Sequence, residues 1–394
     1  MSNNDGLAPY GWNPTFQAQF QSLADDHPGQ GLIPGRVVVQ QRGVLRLITP
    51  LGELSAGLAG RLVHEAAPGA LPTAGDWVAA APHPGDAGAT IHHVLPRASA
   101  FVRRASGPGG GLQVVAANVD LVLITASLNA DLSPRRIERY LATAWESGAK
   151  PVVVLTKADA SDDVAALKAE IEAVAGEAPV HAVSALTGEG LDALASLLVA
   201  GQTAVLLGSS GVGKSTLVNA LAGQDLMATQ GIIAEGARGR HTTTHRELVL
   251  LPSGGLLLDT PGMRELGLWD ADAGLAATFA DIEAMTADCR FHDCAHETEP
   301  GCAIRAALDR GELDPDRWRG FQKLQRELAH LDRREDPLAR AAARQVWIRR
   351  TKDYRAKKRS RFDEDYGGEA RSRGTKPGPA PWSGDRRPRP GLAS

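Results

Sequence analysis

Short apolar runs separated by glycine and proline characterise the first part of this chain. Runs at Val37–Val39, Val44–Ile48 and Trp77–Ala79 lie between turn-forming residues such as Gly43. Several short strands at this spacing predict a small β-barrel or sandwich over residues 35–103. The length fits an OB-like (oligonucleotide-binding) barrel, although the pattern alone also allows an SH3-like one.

The segments on either side of this region lack such runs. Residues 1–34 are mostly polar and rich in Gln, Asn and Pro, so a flexible N-terminal segment is expected there. The glycine-rich stretch Ser106–Gly111 is interpreted as a flexible linker to the next domain.

Beyond the glycine-rich stretch, apolar runs alternate with helical patterns. A serine and a proline at Ser133 and Pro134 supply a cap and a first turn for one of the helices. The runs expected as strands are Val119–Ile124, Val152–Leu155, Val180–Val183, Ala204–Leu207, Glu247–Leu251 and Leu256–Leu258. Several are apolar throughout, which suits strands buried on both faces. The pattern predicts a doubly wound α/β domain over residues 112–271.

The last part of the chain divides by composition. Residues 272–350 have a mostly helical pattern around a group of cysteines and histidines, whereas Pro, Gly, Arg and Ser dominate residues 351–394, where disorder is expected. From Arg349 onward the sequence has 14 Lys and Arg against 6 Asp and Glu; the residues before it have 29 against 40. A basic tail on an acidic body indicates nucleic acid or an acidic partner, or else only a solvated tail.

Bulk properties exclude several classes of protein. The N-terminus has no basic segment leading into an apolar run, and no apolar stretch is long enough to span a bilayer, so a cytoplasmic protein without membrane association is expected. The chain has three cysteines, an odd number that argues against a disulfide framework in that compartment.

A glycine-rich octapeptide follows the fourth of the predicted strands and precedes a helix. In this context its backbone N–H groups and the helix N-terminus are suited to hold phosphates, with Lys214 reaching the outer phosphates and Ser215 binding Mg²⁺. The candidate phosphate-binding residues are Gly208, Ser209, Ser210, Gly211, Val212, Gly213, Lys214, Ser215 and Thr216.

Two downstream segments have the composition of nucleotide switches. Asp259 ends an apolar strand and can hold the Mg²⁺ shell, while Gly262 can offer a backbone N–H to a γ-phosphate. In the stretch Gly239–His245, one of three threonines can bind Mg²⁺ when that phosphate is present. Thr243 is favoured among them, although the residues leave Thr242 and Thr244 open.

Two further motifs predict guanine as the base. Asp159 can accept hydrogen bonds from N1 and N2 of guanine, a pattern adenine lacks, and the Lys157 stem can cover the ring. Thr156 stands where this motif usually has asparagine. Ser184 and Ala185, after the third predicted strand, can approach guanine O6 through backbone N–H groups.

These motifs occur in an unusual order along the chain. The guanine motifs precede the phosphate-binding loop, and the second switch comes last. A nucleotide site depends on which loops meet at one sheet edge and not on their order, so the order predicts a circularly permuted P-loop GTPase fold.

The cysteine-rich segment has the composition of a metal site. Cys289, Cys294, His296 and Cys302 can form a tetrahedral Zn²⁺ site, which with four protein ligands is structural. His292 is an alternative imidazole that spacing does not exclude, and buried free cysteines are the alternative to a metal.

Taken together, these motifs resemble the ribosome small subunit-dependent GTPase family (RsgA, also called YjeQ). The resemblance rests on the motif order, the strand opening Ala117-Asn118-Val119-Asp120, the phosphate-binding loop, Asp259-Thr-Pro-Gly262, and the cysteine segment with Glu299-Pro-Gly301. It covers roughly residues 35–330 and favours His296 over His292.

The resemblance implies an N-terminal OB domain, a GTPase core and a C-terminal zinc domain. It implies a GTPase of late 30S maturation that binds 16S rRNA, hydrolyses GTP to GDP on stimulation by the subunit, and uses Mg²⁺ with the nucleotide. It further points to His241 as the catalytic residue that orients water, with His245 as the alternative, since Met263 replaces the usual glutamine. A monomer is expected. The alternative function is a nucleotide-gated RNA-binding checkpoint in which hydrolysis is incidental.

Overall fold

In the computed structural model, the described residues are 4–41, 44–67, 69–104, 112–129, 132–225, 246–259 and 272–335. Residues Met1–Leu331 form one compact unit; of the second, Asp332–Ser394, only the end of one helix is described. No described helix combines the length and apolar character needed to cross a membrane.

A closed five-stranded barrel occupies the N-terminal region. Its strands are β1 (Ile33–Gln41), β2 (Val44–Thr49), β3 (Gly52–Leu58), β4 (Trp77–Pro82) and β5 (Gly88–Val94). The order is β1-β2-β3-β5-β4, with β4 closing on β1 and β3 parallel to β5. The predicted barrel is therefore confirmed, and the parallel pair, which a barrel of successive hairpins lacks, makes it OB-like.

The N-terminal segment is folded, so the expectation of flexibility is wrong for residues 5–26. A 3-10 helix, Asp5–Tyr10, and helix α1, Pro14–Asp26, pack on the barrel, where Leu7, Phe16 and Phe20 are buried against Trp77. The two phenylalanines lie one helical turn apart and form an apolar face in an otherwise polar sequence. Burying each stabilises the fold by about 1.5–3 kcal/mol, which accounts for the order.

The glycine-rich stretch also has a different setting from the one expected. Strand β6 (Ala100–Arg104) pairs antiparallel with β7 (Leu112–Ala117). The segment therefore connects two paired strands instead of separating two domains. A short helix, α2 (Gly60–Glu65), lies between β3 and β4.

The central region is a six-stranded sheet with helices on both faces. Its strands are β8 (Leu121–Ser127), β9 (Lys150–Thr156), β10 (Val180–Ala182), β11 (Thr203–Leu207), β12 (Arg246–Leu250) and β13 (Leu256–Asp259). Their order is β10-β9-β8-β11-β13-β12, all parallel except β12. The helices are α3 (Pro134–Glu146), α4 (Val164–Ala175), α5 (Leu191–Leu197) and α6 (Lys214–Ala222).

Alternate residues of one strand serve two separate cores. Val122 and Ile124 of β8 pack in the core that contains α3 and α4, whereas Leu121 and Leu123 pack in the core that contains α5 and α6. This is why the strands are apolar throughout, and it confirms the doubly wound α/β fold.

Barrel and central sheet are continuous. Strand β1 pairs antiparallel with β12, with Val39 opposite Glu247. Beside this junction the buried Arg36 donates to the carbonyls of Tyr10 and Asn118 and to Thr203 Oγ1. Desolvation lowers the pKa of Arg36 to about 10, so these acceptors are needed to hold the charge.

Four helices make up the described C-terminal region: α7 (Asp272–Thr278), α8 (Ala280–Ala287), α9 (Ala303–Arg310) and α10 (Pro315–Glu335). Phe279, Ile282, Ile304 and Phe321 form their core. The predicted mostly helical character of this region is confirmed.

Candidate functional site

One edge of the central sheet collects the ends of the parallel strands. Strands β8, β9, β10, β11 and β13 run in the same direction, so their carboxyl ends, and the loops that follow, lie at this edge. Ligands of open α/β sheets bind at such an edge. The permuted motif order is therefore compatible with a single site.

The phosphate-binding loop leaves the central strand β11 and enters α6. A Cβ on Gly208 would lie 2.3 Å from the Thr125 carbonyl oxygen, so the loop requires glycine there. Gly213, at φ +92°, turns the chain into α6, which begins at Lys214. The Lys214 Nζ donates to the carbonyl oxygens of Gly208, at 2.7 Å, and of Ser209. The lysine thus lies at the mouth of the loop.

The other residues predicted for this loop have distinct positions. Val212 is buried, whereas Ser210 and Gly211 are exposed. Ser215 and Thr216 lie in the first turn of α6. Within the described part of the chain, the Ser215 hydroxyl makes no hydrogen bond, so it can bind a cation without breaking one.

The guanine motif is bonded directly to the phosphate-binding loop. The Thr156 hydroxyl lies 2.5 Å from the Val212 carbonyl oxygen and 3.2 Å from that of Ala126, and its single proton is directed to the nearer one. Lys157 Nζ donates to the Gly211 carbonyl at 3.0 Å. Thr156 therefore connects strand β9 to the loop despite replacing asparagine.

Asp159 is oriented by the second guanine motif. The buried Ser184 hydroxyl donates to Asp159 Oδ1 at 2.5 Å and accepts from the backbone N–H groups of Leu186 and Thr187. These bonds fix the carboxylate and the turn together. Ala185 is half-buried beside them, and Leu186 is exposed.

The switch residues are described only in part. Asp259 is the last residue of β13 and stands opposite Glu247 of β12. Because Val205 of β11 pairs with Leu258, the ends of both strands are adjacent. Gly262, His241, Thr243 and the alternative His245 lie outside the described residues.

The four predicted metal ligands come together in the C-terminal region. The Sγ atoms of Cys289, Cys294 and Cys302 and a ring nitrogen of His296 all lie within 4.8 Å of one another. His296 Nδ1 is 3.5 Å from Sγ of Cys289 and of Cys302. Bond lengths of about 2.3 Å for Zn–S and 2.0–2.1 Å for Zn–N give about 3.6 Å across a tetrahedral site. His292 is exposed and outside the group.

The backbone at His296 and the acidity of the thiols are both unusual at this cluster. His296 has the left-handed φ of +60°, unusual for a residue other than glycine. Desolvation and the neighbouring thiols raise the pKa of Cys294 to about 11. Desolvation also acts on Cys289, but N–H donors from Ala303 and Ile304 lower its pKa overall. Three thiolates can coexist here only beside a compensating cation, so the residues fit Zn²⁺.

A buried ion pair joins α3 to the C-terminal helices. Glu138 of α3, 2% exposed, accepts from Arg317 of α10 at 2.7 Å, and Arg317 also bonds Asp281 and lies 4.9 Å from the Phe279 ring centroid. Burial raises the pKa of Glu138 to about 7 against the opposing effect of Arg317. Sequence reasoning missed this pair because 179 positions separate its members.

Sequence reasoning also missed Arg136, in the first turn of α3. Its Nη1 donates to Ser209 Oγ of the phosphate-binding loop at 3.1 Å. The only signal in the sequence was its place just after the Ser133-Pro134 helix start.

Comparison with known proteins gives consistent matches. Residues 94–269 match the model of the RsgA GTPase family. Two curated relatives bear the name small ribosomal subunit biogenesis GTPase RsgA. The one from Opitutus terrae is 47% identical over 363 residues, covering 90% of this chain and 98% of the relative. The one from Streptomyces avermitilis is 47% identical over 352 residues, covering 89% and 93%.

Solved structures agree in fold. The crystal structure of YjeQ from Thermotoga maritima is 28% identical, with a TM-score of 0.57, and the match covers 75% of this chain and 98% of that one. The structure of YloQ, a circularly permuted GTPase, is 22% identical with a TM-score of 0.55, covering 78% and 98%.

Proposed function

This chain belongs to the RsgA GTPase family, and on that premise we propose that it hydrolyses GTP during maturation of the small ribosomal subunit. The observation that carries the proposal is the meeting of the phosphate-binding loop and the guanine motifs, where Thr156 bonds the Val212 carbonyl. The curated relatives bear the corresponding name.

In this proposal, GTP lies along the carboxyl edge of the sheet. The loop Gly208–Thr216 surrounds the phosphates, and Lys214 moves from the loop carbonyls to the outer phosphates. Asp159 accepts from N1 and N2 of guanine while Ser184 holds the carboxylate in place. The backbone at Ala185 meets O6.

Mg²⁺ with the nucleotide neutralises charge on the outer phosphates. Ser215 would hold it, together with Thr243 of the first switch, and Asp259 would hold its water shell. His241 would orient the attacking water and Gly262 would donate to the γ-phosphate. These roles rest on the sequence motifs and the family resemblance.

Zn²⁺ would be structural. Four protein ligands leave no open position for substrate. One of them, Cys302, is also the N-cap residue of α9, where its Sγ accepts from the Arg305 backbone N–H. Binding of Zn²⁺ would therefore order the loop between α8 and α9. The partners proposed are the 30S subunit and its 16S rRNA, bound in the cytoplasm by a monomer.

The test is GTP hydrolysis by the purified protein alone, with 30S subunits, and with 50S subunits as control. We expect strong stimulation by 30S only. Equal stimulation by both, or none, contradicts the ribosomal assignment.

Base recognition is tested separately with Asp159→Asn. An amide can donate to the 2-oxo group of xanthine but loses its acceptor for guanine N2. We therefore expect weaker GTP binding and stronger xanthosine triphosphate binding. Unchanged GTP affinity contradicts the assignment of Asp159. Replacing His241 by Ala distinguishes the checkpoint alternative, in which 30S maturation survives without stimulated turnover.

A further inference from the structure

Arg136 is a cation at the phosphate-binding loop that no sequence motif explains. Its Nη1 lies 3.1 Å from Ser209 Oγ, and the carbonyl of the same serine accepts from Lys214 Nζ. Two cations thus converge on one residue of the loop from different elements. Lys214 belongs to the loop motif, whereas Arg136 comes from α3.

A small pocket lies beside this contact. Ser127 at the end of β8, Tyr140 of α3, and Ser209 and Val212 of the loop line it together with Arg136. The guanidinium is therefore at the same sheet edge as the loop, in a cleft and half-buried. Partial exclusion of water strengthens the interaction of a cation with a phosphate.

The helix that carries Arg136 is held firmly on its other side. Two ion pairs hold α3 to α10: Glu138 with Arg317 at 2.7 Å, which is buried, and Arg139 with Glu327 at 2.9 Å. The pair of Arg135 with Asp316 is exposed on both sides and adds little to this hold. Toward the sheet, Ile137 and Leu141 are fully buried. A charge on so fixed a helix is preorganised, which is the condition for stabilising charge in a transition state.

We propose that Arg136 binds phosphate in addition to Lys214. Its guanidinium, supplied by this chain itself, donates to the terminal phosphate of GTP as that phosphate is transferred to water. The inference rests on the proposed function and adds a catalytic residue to it. A guanidinium has five N–H donors in a planar fork, so it can bond a phosphate oxygen while still bonding Ser209.

The reaction itself is ordinary hydrolysis. The water oxygen forms a bond to the γ-phosphorus, and the bond from that phosphorus to the β–γ bridging oxygen breaks with its electron pair remaining on GDP. Both water protons stay with the released phosphate, which then loses one to solvent. Arg136 takes no proton; it compensates the negative charge carried by the oxygens during transfer.

The experiment compares Arg136→Ala, Arg136→Lys and Arg136→Gln with wild type. Arg135→Ala is the matched control, since Arg135 is the neighbouring exposed cation and pairs with Asp316 away from the loop. The measurements are kcat with and without 30S subunits, Kd for GTP and GDP, formation of the GDP–aluminium fluoride complex, and thermal stability.

We expect Arg136→Ala and Arg136→Gln to lower kcat by about 10²–10³-fold and to prevent formation of the aluminium fluoride complex. GDP affinity should stay within about threefold, and Arg136→Lys should recover part of kcat, because the effect is one of charge in the transition state. Arg135→Ala should behave as wild type.

Three results overturn the inference. The first is a kcat for Arg136→Gln equal to that of wild type. The second is an equal loss of kcat in Arg135→Ala. The third is a parallel loss of GDP and GTP affinity with kcat unchanged, which would make Arg136 a residue that only positions the loop. A wild-type protein that neither binds nor hydrolyses GTP would instead refute the proposed function itself.

Discussion

Replacing Thr156 by valine tests whether its hydroxyl connects base recognition to phosphate binding. Valine keeps the β-branched shape in a buried position of β9 but removes the donor 2.5 Å from the Val212 carbonyl oxygen. Val212 is itself buried, so its carbonyl would lose a partner that water does not readily replace.

The magnitude follows from that environment. Leaving a buried carbonyl without its partner costs about 1–3 kcal/mol. If the phosphate-binding loop adopts the same geometry with and without nucleotide, the cost lowers stability. If the geometry is needed only when nucleotide is bound, the same cost weakens affinity by about 5–150-fold, at about 1.4 kcal/mol per factor of ten.

The assay is binding of fluorescent GDP and GTP analogues by stopped flow, beside thermal unfolding. We expect the affinity for both nucleotides to fall by the same factor, because the bond joins the strand of the guanine motif to the phosphate-binding loop and involves neither switch segment. Most of the change should be in the dissociation rate. Thr156→Ser, which keeps the hydroxyl, is the control.

Affinities within twofold of wild type, together with unchanged stability, would refute the reasoning. A loss confined to GTP would also refute it, since it would place the effect at the terminal phosphate.

Three further changes test the C-terminal region and its contact with α3. Cys302→Ser keeps a capping oxygen for α9 but removes a metal ligand. The Zn²⁺ content measured by mass spectrometry should therefore fall below one per chain, and the melting temperature should drop. Full Zn²⁺ content would contradict the ligand set. Arg317→Ala leaves a buried carboxylate on α3 without its partner and should cost about 3–5 kcal/mol at pH 8 in denaturant unfolding. The loss should be smaller at pH 6, because burial already raises the pKa of that carboxyl to about 7 and protonation removes the charge; an equal loss at both pH values would count against this explanation. A Cβ on Gly274 would lie 2.0 Å from the Ala142 carbonyl oxygen, so Gly274→Ala should destabilise the α3–α7 contact by about 1–3 kcal/mol in thermal unfolding. At Gly60 an added Cβ would meet no atom within 4 Å, so Gly60→Ala should leave stability unchanged.

Parts of the fold that depend on contiguous sequence could be predicted without the structure. Strands such as β8 are apolar on both faces, which the sequence states directly. The phosphate-binding loop and the cysteine segment could also be predicted, because the residues that form each of them are close together along the chain. A small β-barrel could be predicted because its strands are short and regularly interrupted, but the pattern left the OB-like and SH3-like forms open, and the parallel pairing of β3 with β5 decides between them.

What could not be predicted depends on distant partners. The N-terminal helix was missed because Phe16 and Phe20 form an apolar face only once the barrel supplies Trp77 as a partner. The pairing of β1 with β12 and the bond from Arg136 to Ser209 join residues far apart in sequence. No local pattern distinguishes such an arginine from the exposed Arg135 beside it.

The place of α3 gives the circular permutation a physical consequence. In chain order β13, with Asp259 at its end, is the last strand of the sheet. The next described helix along the chain is α7, which packs on α3 at Gly274. The same α3 contacts the phosphate-binding loop through Arg136 and α10 through Glu138. The phosphate-binding loop and the C-terminal helices therefore both contact the same helix, α3.

We hypothesise that the nucleotide state reaches the C-terminal region through α3. Hydrogen exchange at α7 and at residues 315–331 of α10 should then differ between the GDP complex and a complex with a non-hydrolysable GTP analogue. The Arg317→Ala variant should reduce that difference while still binding both nucleotides, since it removes the buried ion pair between α3 and α10 without touching the loop. Equal exchange in the two wild-type complexes would show that α3 holds the region in place and transmits nothing.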